Sequence, residues 1–234
     1  MKDSSLNEEE LAALRAWDTP TICNALEITS PERRAIGFTV EPLVCAFPGL
    51  DPIVGYARTA QIRSHEPSAR PGPDLRDQRL DYYRYVAKAP GPTVAVIQDM
   101  DGPRRGYGAF WGEVQSTIHS SLNCLGAVTD GSVRDVRRIR ELRFPVFAGG
   151  ISPLDTKFRG KLMWFDVPGR IGGVAVKSGD LVFGDVDGVV IIPQHAVDET
   201  MEKSMEKVKG EDLVRERLEG GESLQAMFEQ HGIL

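Results

Sequence analysis

Between residues 93 and 148 the sequence alternates short apolar runs with polar segments of helical spacing. This alternation constrains the fold more than any other feature. Residues 93–98 (TVAVIQ) are almost continuously apolar, as expected of a strand covered on both faces. A turn-rich connection over residues 99–108 leads to a predicted helix at about 112–122. A second apolar run at 125–129, a tight Asp130-Gly131 turn and a helix over 134–142 follow, and residues 144–148 supply another strand. Strands joined through helices run parallel, because the crossover brings the chain back to the same end of the sheet. At least part of the sheet should therefore be parallel.

The flanks read differently. Residues 8–16 carry apolar positions at helical spacing, and Asp18-Thr19-Pro20 reads as a cap followed by proline, opening a helix through Ile22, Ala25 and Leu26. Residues 53–62 read as a strand, 64–73 as a proline-containing loop, and 74–88 as a polar helix with Leu75, Leu80, Tyr83 and Val86 facing inward. After Ala148 come short strands at 162–167, 173–176, 181–184 and 189–192, separated by Gly, Pro and Asp turns. A long charged helix is expected from His195 to about Leu218, and a short one at 224–229. The 234 residues suit a single domain over 1–234, with N-terminal helices at about 8–28 and a C-terminal helical extension at about 195–234.

Several chemistries lack their signatures. The net charge is −6 with Lys and Arg scattered, which argues against a nucleic-acid partner. No apolar run approaches the roughly 18 residues that would span a membrane. The polar, acidic start does not read as a signal peptide, and Cys23, Cys45 and Cys124 show no CxxC spacing. A reducing, cytoplasmic setting is expected. The four histidines form no HExxH pattern, so zinc is not expected; His119 reads as a packed or surface residue and Cys124 as an apolar filler. Gly106-x-Gly108-x-x-x-Gly112 has the wrong spacing for a dinucleotide fingerprint.

Two strand-to-helix junctions carry the chemistry. Gly112-Glu113 opens one helix and Arg134-Asp135 the next. Taken singly, an acid in a first helical turn merely faces the positive end of its helix, and Arg134 belongs to a charged surface run. Taken together they say more, because small anions bind beyond the carboxyl ends of strands, at helix N-termini. Gly112 lets a ligand approach the backbone, and Arg134 offers a planar fork to a carboxylate or an enolate oxygen. Asp135 and Glu113 are hard oxygen donors suited to Mg²⁺ or Mn²⁺. Such a site could bind a 2-oxo acid and stabilise its enolate.

Several stretches, in this order, resemble the RraA-like family. They are Trp111-Gly112-Glu113-Val114, GAVTDGSVRD at 126–135, FPVFA at 144–148, GGVAV at 172–176, SGDLVFGDVDGVV at 178–190, and the tail GESLQ at 221–225 with GIL at 232–234. That family includes the 4-hydroxy-4-methyl-2-oxoglutarate/4-carboxy-4-hydroxy-2-oxoadipate aldolases, and the resemblance covers residues 18–232. It implies an α/β fold: a swivelling α/β/β/α sandwich with a mixed, partly parallel sheet and a long C-terminal helix. It also implies a homotrimer or homohexamer with sites between subunits. The implied activity is a Mg²⁺- or Mn²⁺-dependent lyase that cleaves a 4-hydroxy-2-oxo acid to pyruvate, with oxaloacetate decarboxylation as a related reaction. By position, Asp135 falls on the metal-ligating Asp and Arg134 on the Arg that holds the pyruvyl oxygen. Gly112, Glu113, Val114 and Gln115 fall on the loop whose N–H groups bind the substrate carboxylate. Glu113 stands where the aldolases have an Asp on a metal-bound water, and its extra methylene moves the carboxylate by about 1.5 Å. Glu211 matches an acid given by a neighbouring subunit. The family also contains inhibitors of an RNA-processing enzyme, so a non-catalytic binding role is the alternative.

Overall fold

In the computed structural model, which describes residues 5–65, 72–156, 161–221, 223 and 225, the apolar run at 93–98 lies in the middle of the sheet. In chain order the elements are α1 (Glu8–Leu14), α2 (Thr19–Thr29), β1 (Val44–Cys45), β2 (Ile53–Arg63), α3 (Gly72–Val86) and β3 (Thr93–Asp99). There follow β4 (Ala109–Trp111), α4 (Glu113–Ser121), β5 (Cys124–Val133), α5 (Val136–Glu141), β6 (Val146–Ile151) and β7 (Lys161–Phe165). The chain continues through β8 (Gly169–Ile171), β9 (Val174–Val176), β10 (Leu181–Asp185), β11 (Gly188–Ile192) and α6 (Val197–Glu219). The expected cap is present: the Asp18 carboxylate accepts the Thr21 N–H at 2.8 Å, with proline in the first turn of α2.

Among the described residues nine strands form one sheet in the order β1-β6-β5-β3-β2-β10-β11, with β4 beside β5 and β7 beside β2. β2, β3, β5 and β6 are mutually parallel, while β1, β7, β10 and β11 join antiparallel. Alternation along β2 explains the layering. Val54 and Tyr56 pack with α1, α2 and α6, and Ala60 and Ile62, of the same parity, pack in the cluster that holds residues of α3 and α5. Ile53 and Ala57 point the other way, into a core shared by Val96, Val128 and Phe147, by Val182 and Ile191, and by the β8–β9 hairpin. Sheet therefore faces sheet inside and helices lie outside. The fold is α/β with a mixed, partly parallel sheet and a long C-terminal helix, as expected, and the sheet is nearly closed.

A strap closes the sheet. Phe38 bridges Val190 of β11, Thr39 N–H donates to the Val189 carbonyl at 2.9 Å, and Val44 and Cys45 pair with Ala148 and Phe147 of β6. Residues 37–46 thus join the two ends of the strand order. Arg105 holds the middle of the strap, with Nη2 3.2 Å from Glu41 Oε2 and Nη1 3.1 Å from Asp130 Oδ2.

Two expectations fail. On α3, Leu80, expected to face inward, is exposed at 42%, and the buried face is carried by Tyr82, Tyr85 and Val86. Asp130-Gly131 is not a turn: β5 runs straight through it, paired with β4 on one side and β6 on the other, with a register shift between Thr129 and Ser132. The Asp130 side chain is spent on the neighbouring strand, its Oδ1 accepting the Asp99 N–H at 2.7 Å, and long-range pairing overrides local turn chemistry. The helix expected from Arg134 accordingly begins at Val136. The expected helix at 224–229, apart from Gln225, and loop residues 66–71 lie outside the described residues. No helix among the described residues is long and apolar enough to cross a membrane.

Candidate active site

The site forms where β4 and β5 end together. Trp111 and Val133 are paired across these parallel strands, and the Arg134 N–H donates to the Trp111 carbonyl at 3.0 Å. Gly112 then caps α4, and Asp135 occupies the cap position of α5. The first α4 ladder bond runs from Ser116 N–H to the Gly112 carbonyl at 3.0 Å, so the N–H groups of residues 113–115 point out of the helix end. One of them, at Glu113, donates to Asp135 Oδ2 at 3.2 Å.

Asp135 is held at φ 56° and ψ 31°, a left-handed conformation that costs a non-glycine residue roughly 1–3 kcal/mol. Its side chain makes no capping bond to its own helix. The carboxylate instead reaches across to α4 and lies 3.5 Å from Arg134 Nε. On its other side the Arg134 fork meets Asp155, with Nη2 to Oδ2 at 3.1 Å. These side chains stay about one-third exposed, at 32% for Arg134, 35% for Asp135 and 34% for Asp155. A Cβ on Gly112 would lie 2.7 Å from Asp135 Oδ2 and 3.2 Å from Arg134 Cγ, so glycine is needed there for space.

The expected residues therefore divide. Gly112, the Glu113 backbone, Arg134 and Asp135 converge. The Glu113 carboxylate is exposed and makes no hydrogen bond or ion pair among the described residues; its charge, after that of Glu141, favours the Arg138 guanidinium. Val114 is exposed, and the Gln115 side chain turns back, its Oε1 accepting the Tyr83 hydroxyl at 3.2 Å. Glu211 lies on α6, which packs against α2 in the other helical layer. His119 is packed, as expected. Its Nδ1 is 2.8 Å from the Gln115 carbonyl and its Nε2 2.9 Å from the Tyr82 hydroxyl, and burial pushes its pKa down to about 4, so the ring is neutral.

Asp155 was not foreseen. It lies beyond β6 and is brought to Arg134 by a bridge between Ala109 and Asp155 that no local pattern announces. Behind the site lies a second unforeseen group. Buried Asp99 accepts the Gly106 N–H at 2.8 Å and the Ser64 hydroxyl, while Asp130, whose carboxyl is pushed up by burial, pairs with Arg105. The Asp-Gly pair at 130–131 is the one local signal for this group, and its turn chemistry points elsewhere.

The model of the RraA-like family (Aldolase/RraA) matches residues 19–191, a span that includes every converging residue. The chain belongs to the RraA-like family. It is 32% identical over 167 residues, 71% of each chain, to a protein of Halalkalibacterium halodurans named "Putative 4-hydroxy-4-methyl-2-oxoglutarate aldolase". Among solved structures, an uncharacterized protein from Pseudomonas syringae pv. tomato is 23% identical, with TM-score 0.72 over 94% of this chain and 96% of that one. Streptomyces coelicolor RraAS2, described as an unusual member of the RNase ES inhibitor RraA protein family, is 24% identical, with TM-score 0.70 over 90% and 97%. Both structures share the RraA-like fold.

Asp135 and Glu113 carry hard oxygen donors of the chemical kind that a divalent ion such as Mg²⁺ takes. Asp135 keeps a partly exposed carboxylate, with Oδ2 on the α4 N-terminus, and Glu113 adds an uncommitted carboxylate at the adjacent helix start. No group of three or more His, Cys, Asp or Glu side chains suited to a metal exists among the described residues. Mg²⁺ tolerates such sparse protein ligation because it retains several waters, whereas a structural zinc site would require four protein ligands.

Proposed function

We propose that the chain is a divalent-metal-dependent lyase that cleaves a 4-hydroxy-2-oxo acid to release pyruvate, with oxaloacetate decarboxylation as a side activity. One observation carries this reading: the left-handed Asp135, whose carboxylate abandons its own helix for the α4 N-terminus beside Arg134. Asp135 would hold Mg²⁺ or Mn²⁺ directly and Glu113 through a water. The chemistry supplied by such an ion is polarisation of the 2-oxo group. Arg134, steadied by Asp155, presents its fork to the oxygen that gains charge as the carbon–carbon bond breaks. The outward N–H groups of Val114 and Gln115 bind the substrate carboxylate at the positive end of α4. Glu113 would accept the 4-hydroxyl proton, a role supported by its exposed carboxylate, which makes no hydrogen bond or ion pair among the described residues. The working form is a cytoplasmic homotrimer or homohexamer in which a neighbour's Glu211 completes the site.

The reading is tested by following pyruvate release from 4-hydroxy-2-oxo diacids and from oxaloacetate, with Mg²⁺ or Mn²⁺ and with chelator. Asp135→Ala should abolish release, and Arg134→Lys should impair it severely because a point charge cannot replace the fork. Full activity of Asp135→Ala in chelator would refute the assignment. Absence of release from every such acid, together with no rise in Tm on adding Mg²⁺ and oxalate, would favour a non-catalytic binding role.

A further inference from the structure

A cavity lies at the end of the parallel strands opposite the candidate active site. Tyr56, in its wall, pairs with Thr93 at the start of β3, whereas the candidate active site lies past the last residue of β5. The cavity measures about 500 Å³, within the range of small-molecule sites. Tyr56, Leu181 and Ile192 give it a buried, apolar floor, and Arg33, Lys177 and His195 stand around it. The acid that lines it, Asp180, already accepts the Lys177 main-chain N–H at 2.8 Å, and among the described residues neither Arg33 nor Lys177 has a carboxylate partner.

Arg33 is the most informative member. Its Nη2 donates to the Ile191 carbonyl at 3.0 Å, and the guanidinium lies over Gly37, where a Cβ would come 2.2 Å from Nη2. One end of the fork is thus fixed in place. Its Nε is buried and has no acceptor. Leaving a charged donor buried and unpaired is costly, and native proteins seldom do so without a reason. A cavity with apolar residues in its floor and an excess of cationic side chains at its edge matches a ligand with an anionic head and an apolar body.

We infer that this cavity binds a small organic anion, with one phosphate or carboxylate head held by Arg33 and Lys177 and a compact apolar body resting on Tyr56, Leu181 and Ile192. The inference does not depend on the proposed lyase activity.

Calorimetric titration and thermal shift with phenyl phosphate, benzoate and inorganic phosphate test it on the full chain. At least one of the two aryl anions should bind and raise Tm by a few degrees at saturation, and which of them binds more tightly identifies the head group. Arg33→Gln should weaken that binding about tenfold or more, as expected when a charge-assisted hydrogen bond is removed. Lys177→Gln, a change at an exposed side chain that leaves the fold intact, should weaken it several-fold, so the test survives a misfolded Arg33 variant. Arg134→Gln should leave it unchanged. Failure of both aryl anions to bind would overturn the inference. So would binding that survives Lys177→Gln at full strength, or binding that disappears in Arg134→Gln. An equal affinity for inorganic phosphate alone would overturn the assignment of an organic ligand.

Discussion

Gly112 has an extended φ of −162°, which any residue adopts, so its role is to leave room for Asp135 Oδ2. Gly112→Ala should push the carboxylate away at a small stability cost, because the atom that must shift is the end of a partly exposed side chain. Its effect on pyruvate release should be larger, roughly a hundredfold, because displacement by an ångström is enough to disrupt positioning. Steady-state kinetics beside urea denaturation separates the two effects. Asp135 provides a complementary test. Asp135→Ala and Asp135→Gly both remove the carboxylate, but only glycine accepts a φ of 56° without strain. The glycine variant should be about 1 kcal/mol more stable than the alanine variant in denaturant melts, with both inactive. Gly112, Arg134 and Asp135 were readable in the sequence because each sits directly at a strand-to-helix junction. Asp155 was not readable, since its place beside Arg134 depends on a bridge to Ala109, 46 residues earlier in the chain.

The helix that presents its N-terminus to the site is anchored from below. Trp111 Nε1 donates to Ser116 Oγ at 2.9 Å, and His119 is held between Gln115 and Tyr82. His119 has a pKa lowered to about 4, so the unfolded chain takes up a proton there at a higher pH than the native one does. The neutral ring costs nothing above about pH 6.5, and stability should fall between about pH 6.5 and 4 by roughly 3 kcal/mol. His119→Phe should remove that part of the acid slope while losing stability at neutral pH, where the Tyr82 hydroxyl is left without its partner. Chemical denaturation of both proteins across this pH window measures the difference. The longer elements were foreseeable because 93–98 and 112–122 keep one pattern for several residues, and 181–184 and 189–192 are apolar runs set off by a turn. β1, β4 and β8 have two or three residues each, too few to show any alternation. The sequence ends β5 early because Asp-Gly is turn chemistry, and the bond from Asp99 N–H to Asp130 is invisible in one dimension.

For the molecule as a whole, the parallel βαβ portion followed from the alternating pattern, but closure of the sheet did not. The strap at 37–46 (GFTVEPLVCA) has no strand periodicity, and its pairing is with partners more than a hundred residues away. Arg105 fastens it to β5 through Glu41 and Asp130. Arg105→Met should destabilise the fold by about 1–3 kcal/mol, mainly by leaving the buried Asp130 carboxylate unpaired, since Arg105 itself is 39% exposed. Burial already raises the Asp130 pKa, so its contribution declines as pH rises through that raised value, and the loss of Arg105 deepens the decline. The deficit of the variant relative to the parent should therefore shrink as pH is lowered from neutrality through the raised pKa of Asp130, as urea melts across a pH series would show. The strap also occupies strands that would otherwise offer rows of open donors and acceptors to any passing chain. Once Arg105 no longer fastens it, the first symptom in concentrated samples should be edge-to-edge aggregation, detectable by light scattering below the temperature at which the domain melts.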